Sequence, residues 1–233
     1  MTLLETAHLL RGTYQTACIP VTPQKTPLFP WAKYASQLPS DSELSTWFTN
    51  GESIAIVAGR IQCLDVDIKN ATPDLWTQFL TRLDEARLTP LVERLVIQTT
   101  RSAGYHVLFR CPAELRNVKL ASAPDGKVIL ETRGTGGYFL VAPSPGYKVI
   151  QGSLDAIPEI TQAERDDLLA IAVSFDHKPK LRDAGPPAAG PRADGELSPG
   201  DDFDARANVP ALLEGHGWTR VDDDGHRWRR PGK

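Results

Sequence analysis

Ile61-Gln62-Cys63-Leu64-Asp65-Val66-Asp67-Ile68 is the stretch on which the fold and the chemistry turn. Its second half alternates apolar and acidic residues. A strand sends successive side chains to opposite faces, so Asp65 and Asp67 share one face while Leu64, Val66 and Ile68 turn toward a core. Two carboxylates held side by side repel unless a cation lies between them, and hard oxygen donors of this kind suit Mg²⁺ or Mn²⁺. A bare Asp-x-Asp also fits an ordinary solvated strand face, so the pair needs support from the rest of the chain.

Working outward, Ser53 to Val57 is a second β-type run, and Ala58-Gly59-Arg60 between the two predicts a hairpin. Leu95 to Thr100 and His106 to Arg110 flank Arg101-Ser102-Ala103-Gly104-Tyr105, a second expected hairpin. Lys127 to Glu131 and Tyr138 to Ala142 flank Gly134-Thr135-Gly136-Gly137, a third. Thr16 to Thr22 is also strand-like. Helical spacing recurs in Leu3, Leu4, Ala7 and Leu10, and in Leu75, Trp76, Phe79, Leu80 and Leu83 behind Thr72-Pro73. Ser40-Asp41-Ser42-Glu43 and Thr161-x-x-Glu164 are capping boxes that open two more helices. This mixture predicts an α+β fold with a largely antiparallel sheet.

Two further segments carry candidate chemistry. In Arg101-Ser102-Ala103-Gly104-Tyr105-His106 a Gly-containing turn beside Arg and Ser offers donors to phosphate. His106 opens the next strand, where its imidazole can donate to a phosphate oxygen or simply serve as a structural hydrogen-bonder. In Ile129-Leu130-Glu131-Thr132-Arg133, Glu131 ends a half-apolar strand face. It can complete a three-carboxylate metal site with Arg133 placed for a phosphate, or form a plain strand-end ion pair.

Composition bounds the rest. The chain has 233 residues, 41% of them apolar, enough for one large domain or two small ones. No run approaches the length of a membrane span, and the start lacks a signal-peptide pattern, so the chain reads as soluble and intracellular with no membrane partner. Three scattered cysteines without a Cys-x-x-Cys pair exclude a disulfide framework and a zinc ribbon. Net charge is -3, yet Arg94 to Arg133 holds seven basic residues against three acidic ones, a distribution suited to a polyanionic substrate. After residue 176 the composition changes. Residues 177–203 read as a Pro/Gly-rich linker, and 204–233 as the start of a small C-terminal module. There Ala207 to Glu214 is a possible helix, and Trp218 to Val221 and His226 to Arg230 are possible strands. The final Arg230-Pro231-Gly232-Lys233 reads as a boundary within a longer protein.

The order of the motifs, more than any one of them, resembles the bifunctional primase-polymerase (prim-pol) domains of the archaeo-eukaryotic primase superfamily. The matching residues are Asp65-Val66-Asp67, Ser102-Ala103-Gly104-Tyr105-His106, Leu130-Glu131, Gly136-Gly137-Tyr138 and Ala142-Pro143-Ser144, with Lys25-Thr26-Pro27, Trp31, Ile54-Ala55-Ile56 and Gly59 upstream. The likeness covers about Gly12 to Tyr147. Ala103 stands where Gly is usual, and Ala142 where Pro is usual. From Gly200 onward the chain resembles the segment that lies C-terminal to such domains in phage, prophage and plasmid replication primase-helicases, although it has no Walker A motif.

The resemblance implies a two-module core with an RRM-like sheet flanked by helices. It implies template-dependent nucleotidyl transfer from ribo- or deoxynucleoside triphosphates by a two-metal mechanism, making and extending primers in DNA replication. Asp65, Asp67 and Glu131 would hold Mg²⁺ or Mn²⁺. Arg101, Ser102, Gly104, His106 and Arg133 would bind the nucleotide, with His106 counted among the catalytic residues. Single-stranded DNA would lie along some of Arg94, Arg110, Arg116 and Lys119, with a helicase module in the full-length protein and the cytoplasm, a bacterial host's if phage-encoded, as its place. Two other classes stay open: a catalytically inactive DNA-binding or docking module of the replication machinery, and a glycosyltransferase using Asp-x-Asp to hold a nucleotide-sugar.

Overall fold

The structure, a computed structural model, describes residues 1–177, 208–221 and 228–231. The chain divides into two compact units, Met1–Lys180 and Leu181–Lys233. Apart from His177, the expected linker over 177–203 lies outside the described residues.

The first unit is α+β. In chain order it contains α1 (Leu3–Tyr14), β1 (Cys18–Pro20), α2 (Asp41–Phe48), β2 (Ile54–Val57), β3 (Gln62–Val66), α3 (Leu75–Glu85), α4 (Thr89–Val92), β4 (Val96–Thr99), β5 (Tyr105–Phe109), β6 (Lys119–Ser122), β7 (Val128–Arg133), β8 (Tyr138–Leu140), β9 (Lys148–Gln151) and α5 (Gln162–Val173). Six strands form one sheet in the order β6-β7-β3-β5-β4-β9, and three form a smaller one, β1-β2-β8. Every strand pair within them is antiparallel.

The capping boxes at Ser40 and Thr161 both form, with each cap hydroxyl accepting from the backbone N–H three residues on. A third, Thr2 with Glu5, starts α1. The hairpin around Arg101–Tyr105 forms as β4–β5. The other two expected hairpins do not. β2 leaves β3 to pair with β1 and β8, and β8 leaves β7 to pair with β2. The reason is the apolar load. Ile54 and Ile56 on one face of β2 and Ala55 and Val57 on the other enter separate cores, and β3 is likewise buried on both sides. Each strand therefore needs a partner and a cover on both faces, which its sequence neighbour cannot supply alone. β6 and β9, unforeseen in the sequence, are the edge strands, where half-exposed residues blur the alternation.

Leu64 and Val66 of β3 pack with Leu75, Phe79 and Leu83 of α3 and Leu168 and Ala172 of α5. On the opposite face Cys63, Val96 and Leu108 meet Ala7 and Leu10 of α1, Leu44 and Phe48 of α2, and Ile54, Ile56 and Phe139 of the small sheet. Ser144 stitches the small sheet internally: its buried hydroxyl accepts from the Ile54 N–H at 2.9 Å and donates to the Ile54 carbonyl at 3.0 Å. All three cysteines are buried free thiols. No helix among the described residues is long and apolar enough to cross a membrane.

In the second unit Asn208 caps a helix, Val209–Gly215, and Thr219–Arg220 pairs antiparallel with Trp228–Arg229. The guanidinium of Arg220 lies 5.4 Å from the centre of the Trp228 ring. The turn expected at Asp222–Gly225 lies outside the described residues.

The β4–β5 turn explains two small residues. Ala103 adopts φ +60°, the left-handed region that glycine enters without penalty, so a glycine is the easier residue there. At Gly104 a Cβ would stand 2.4 Å from the Val66 carbonyl oxygen and 3.2 Å from Thr100 Oγ1. Opposite outcomes are expected at these adjacent positions. Ala103→Gly should leave stability equal or raise it by up to about 1 kcal/mol. Gly104→Ala should lower it by about 1–3 kcal/mol. Urea unfolding of the two variants beside the parent chain measures both.

Candidate active site

The site is one row of side chains across the large sheet. Cross-strand register places Lys119 of β6 opposite Glu131 of β7, Glu131 opposite Asp65 of β3, Asp65 opposite His106 of β5, and His106 opposite Gln98 of β4. Directly paired residues point to the same face. Five strands, whose row residues run from Asp65 to Glu131 and so span 66 positions of sequence, thus deliver their polar groups to one line.

Asp65 is in the middle, its side chain 20% exposed. Its carboxylate meets His106 Nε2 at 3.6 Å on one side and Arg133 Nη2 at 3.6 Å on the other. Arg133 also pairs with Glu131 two residues before it on β7, so one guanidinium lies between the two carboxylates. Burial pushes the Glu131 carboxyl above its ordinary range, Arg133 pulls it down, and the Asp65 charge pushes it up again. His106 is almost wholly buried, and burial holds its imidazole below the usual histidine range even though Asp65 works the other way. Tyr147, whose ring lies 5.8 Å from the His106 ring, has its hydroxyl pushed up to about 12, first by burial and then by the Asp65 charge.

Asp67 follows the end of β3. Its N–H still donates to the Ile129 carbonyl at 2.9 Å, and the chain then enters a single 3-10 turn, Ile68–Asn70. The Asp67 carboxylate accepts from Asn70 Nδ2 at 3.0 Å and faces Lys69 Nζ at 3.6 Å. Arg101 and Ser102 stand on the β4–β5 turn, at the Val66 end of β3. Gly104 gives its N–H to Thr100 Oγ1 at 3.1 Å, so it fits close packing against Val66 rather than donation to a phosphate.

Beside the row lies a cavity of about 300 Å³. The large sheet contributes Asp65, His106 and Arg133 to its wall, and the small sheet contributes Tyr138, Phe139 and Leu140. Lys25, Trp31, Asn117 and Tyr147 complete much of the rest. Lys25 is held with φ +68°, its carbonyl accepting from Tyr138 Oη at 2.9 Å, and Trp31 meets Tyr138 edge to face with centroids 5.3 Å apart. Asn117 sets the wall's shape: it accepts from the Gly134 N–H, and a Cβ at Gly137 would lie 2.4 Å from its oxygen. Of the residues singled out in the sequence, Asp65, His106 and Arg133 line this cavity. Asp67, Glu131, Arg101, Ser102 and Gly104 stand around it without lining it. Lys25, Trp31 and Tyr138 belong to stretches already noted in the sequence, but nothing local marked them as cavity wall.

The basic segment is largely neutralised. Arg94 pairs with Glu164, Arg110 with Glu159, Arg116 with Glu114 and Lys127 with Asp125. Among the described residues, Arg101 and Lys119 make no ion pair, which leaves them the stronger cations for an external polyanion.

The donor set fits a hard divalent cation. Asp65 and Glu131 are neighbours in register, and like charge at that spacing calls for a cation between them. In the structure the cation is Arg133, and Asp67 is turned to Asn70. Accordingly no group of three or more His, Cys, Asp or Glu side chains among the described residues closes into ligand geometry. The Arg133 guanidinium fills the space between the two carboxylates.

The family model for bifunctional DNA primase/polymerase, N-terminal domain (Prim-Pol), matches residues 9–163. The chain belongs to the Prim-Pol family. The match runs from the second half of α1 to the first turn of α5 and contains the whole row and cavity. Membership assigns the chain to DNA primases and polymerases, which act in replication on DNA and nucleotides as nucleotidyltransferases. A comparison with curated proteins finds no match.

A Prim-Pol site placed for chemistry rather than stability carries a signature. Asp65→Asn keeps the shape but removes one of two crowded negative charges, so folding stability should stay equal or rise by about 0–2 kcal/mol. A plain structural ion pair predicts a loss instead. Thermal unfolding of the two proteins distinguishes these outcomes.

Proposed function

We propose that residues 1–176 are the catalytic domain of a DNA primase-polymerase that makes and extends primers on single-stranded DNA from ribo- or deoxynucleoside triphosphates. Residues 177–203 are then a linker, and 204–233 begin a small module that leads toward a helicase in a phage- or plasmid-type replication protein. The observation that carries the reading is the row Lys119–Glu131–Asp65–His106, in direct register beside a cavity lined by Lys25 and Arg133.

Asp65, Asp67 and Glu131 would hold Mg²⁺ or Mn²⁺, which when bound lowers the pKa of the attacking hydroxyl and offsets charge on the phosphates. The protein's own residues do the rest. His106 directs its Nε2 edge toward the reacting phosphates from a buried, fixed ring. Arg133 exchanges its two carboxylates for phosphate oxygens, so that charge stays balanced as the nucleotide enters. Lys25 adds a cation on the small-sheet side, and Arg101 and Ser102 close the Val66 end. Tyr138 and Trp31 offer flat apolar surface to a base or sugar. Lys119 and Arg101 are the cations best placed for template.

Template-dependent extension with Mn²⁺ and labelled nucleotides tests the assignment. The parent chain should extend primers, and the double variant Asp65→Ala, Asp67→Ala should not, while remaining folded. His106→Ala should weaken nucleotide binding by about 10- to 100-fold, the worth of one charge-assisted donor, and leave template binding nearly unchanged. Calorimetric titration reads both affinities. A chain ending at His177 should keep primer extension and cooperative unfolding, because the three cores of the first unit close without the later residues. Initiation without a primer, which must hold two nucleotides at once, is the step expected to suffer.

A further inference from the structure

Gln98 is a fully buried amide in the middle of β4, directly opposite His106 in register. A buried polar side chain in a strand core must find partners for both ends of its amide. Its Oε1 accepts from the Ala142 N–H at 3.0 Å. Its Nε2 donates to the Leu140 carbonyl at 2.8 Å and lies 2.9 Å from His106 Nδ1. His106 Nδ1 is in turn 3.1 Å from the same Leu140 carbonyl.

We propose that Gln98 is a positioning residue that fixes His106 in the tautomer with a bare Nδ1 and a hydrogen on Nε2. The hydrogen bonds around Gln98, together with the Asp65 carboxylate, favour this arrangement. With a hydrogen on Nδ1, two N–H groups would face each other across 2.9 Å while competing for one carbonyl. Flipping the Gln98 amide relieves that clash but creates two others: its NH₂ would meet the Ala142 N–H and its oxygen would meet the Leu140 oxygen. A lone pair on Nδ1 accepts from Gln98 at the cost of a 3.1 Å approach to the Leu140 oxygen, and it turns a hydrogen on Nε2, rather than a second lone pair, toward the Asp65 carboxylate. The hydrogen then sits on Nε2. At 3.6 Å from Asp65 Oδ1 it is too far for a good hydrogen bond to the carboxylate, so it remains available to an oxygen in the cavity that His106 lines.

The arrangement also explains why the support comes from Gln98 and the small sheet together. Leu140 and Ala142 bracket the end of β8, so the amide ties that strand to β4 while it orients the ring. A carboxylate in place of Gln98 would pull the hydrogen to Nδ1 and turn Nε2 into an acceptor, the wrong sense for meeting a phosphate. The consequence for nucleotide rests on the proposed role of His106 as a phosphate donor. The tautomer itself does not.

Two-bond ¹H–¹⁵N correlation spectra of the full chain, at about pH 8 where an ordinary histidine is neutral, read the tautomer directly. The expected result for the parent protein is an unprotonated Nδ1 and a protonated Nε2 on His106, identified by the signal lost in His106→Ala. A protonated Nδ1 overturns the proposal without any Gln98 variant being needed. Gln98→Met, close in shape but unable to donate, should shift the His106 nitrogens toward the other tautomer. It should also raise the nucleotide Kd and KM by roughly tenfold with little change in kcat or template affinity. Unchanged nitrogens in a folded Gln98→Met overturn the assignment to Gln98. If the tautomer shifts as expected but nucleotide affinity is unchanged, Gln98 stands as the orienter and the phosphate role of His106 falls.

Discussion

The negative charge of Asp65 on the central strand of the large sheet is the constraint around which the first unit is arranged. Both neighbouring strands face it in direct register, and the strand that carries it is buried on both faces. A carboxylate so placed needs an opposite charge or hydrogen-bond donors beside it. The full opposite charge beside it is Arg133 from β7, at 3.6 Å, while His106 from β5 faces it at the same distance with an imidazole that burial holds below the usual histidine range. Neither contact is tight, and a second acid, Glu131, adds to the load. Core residues chosen for stability alone would not crowd charge in this way, and that crowding supports the proposed site.

The two sheets make the arrangement possible. The large sheet supplies the row of polar groups, and the small sheet roofs part of it with Tyr138, Phe139 and Leu140. Gln98 and Ser144 are the polar pins near this junction, one reaching from β4 to the backbone after β8, the other holding the chain beyond β8 to β2. The junction beside the cavity is therefore held by side-chain-to-backbone hydrogen bonds from these two residues. Arg133 occupies the position a cation would take between Asp65 and Glu131, so nucleotide and metal binding are coupled through one side chain on the proposed mechanism.

Much of this was legible in the sequence where the signal is local. The capping boxes at Ser40 and Thr161, the β4–β5 turn and the alternation of Leu64, Asp65 and Val66 rest on neighbouring residues, and each appears in the structure. The pairing of β2 and β8 was not legible, because both flank glycine-containing turns that read as hairpins and their real partners are chosen by burial on two faces. The Asp65–Asp67 alternation holds in the backbone, which stays extended at Asp67 and still pairs with Ile129, but the turn at Ile68 and the engagement of the Asp67 carboxylate by Asn70 carried no sequence signal. The basic count over Arg94–Arg133 misled in a different way: Glu159 and Glu164, which neutralise Arg110 and Arg94, lie outside that window. Gln98 carried no sequence signal at all, since a lone Gln in a strand reads as an edge or surface residue until its partners are seen.

On the proposed mechanism Asp65 and Glu131, adjacent across β3 and β7, give up Arg133 to share a divalent cation when nucleotide is present. Crystals of the chain with Mn²⁺ and a non-hydrolysable nucleoside triphosphate, measured for anomalous scattering from manganese, test it most directly. The account predicts an anomalous peak about 2.0–2.6 Å from oxygens of both carboxylates, the coordination range of hard divalent cations, with Arg133 turned onto the phosphates. Bound nucleotide with Arg133 still bridging Asp65 and Glu131, and manganese elsewhere or nowhere, would contradict it.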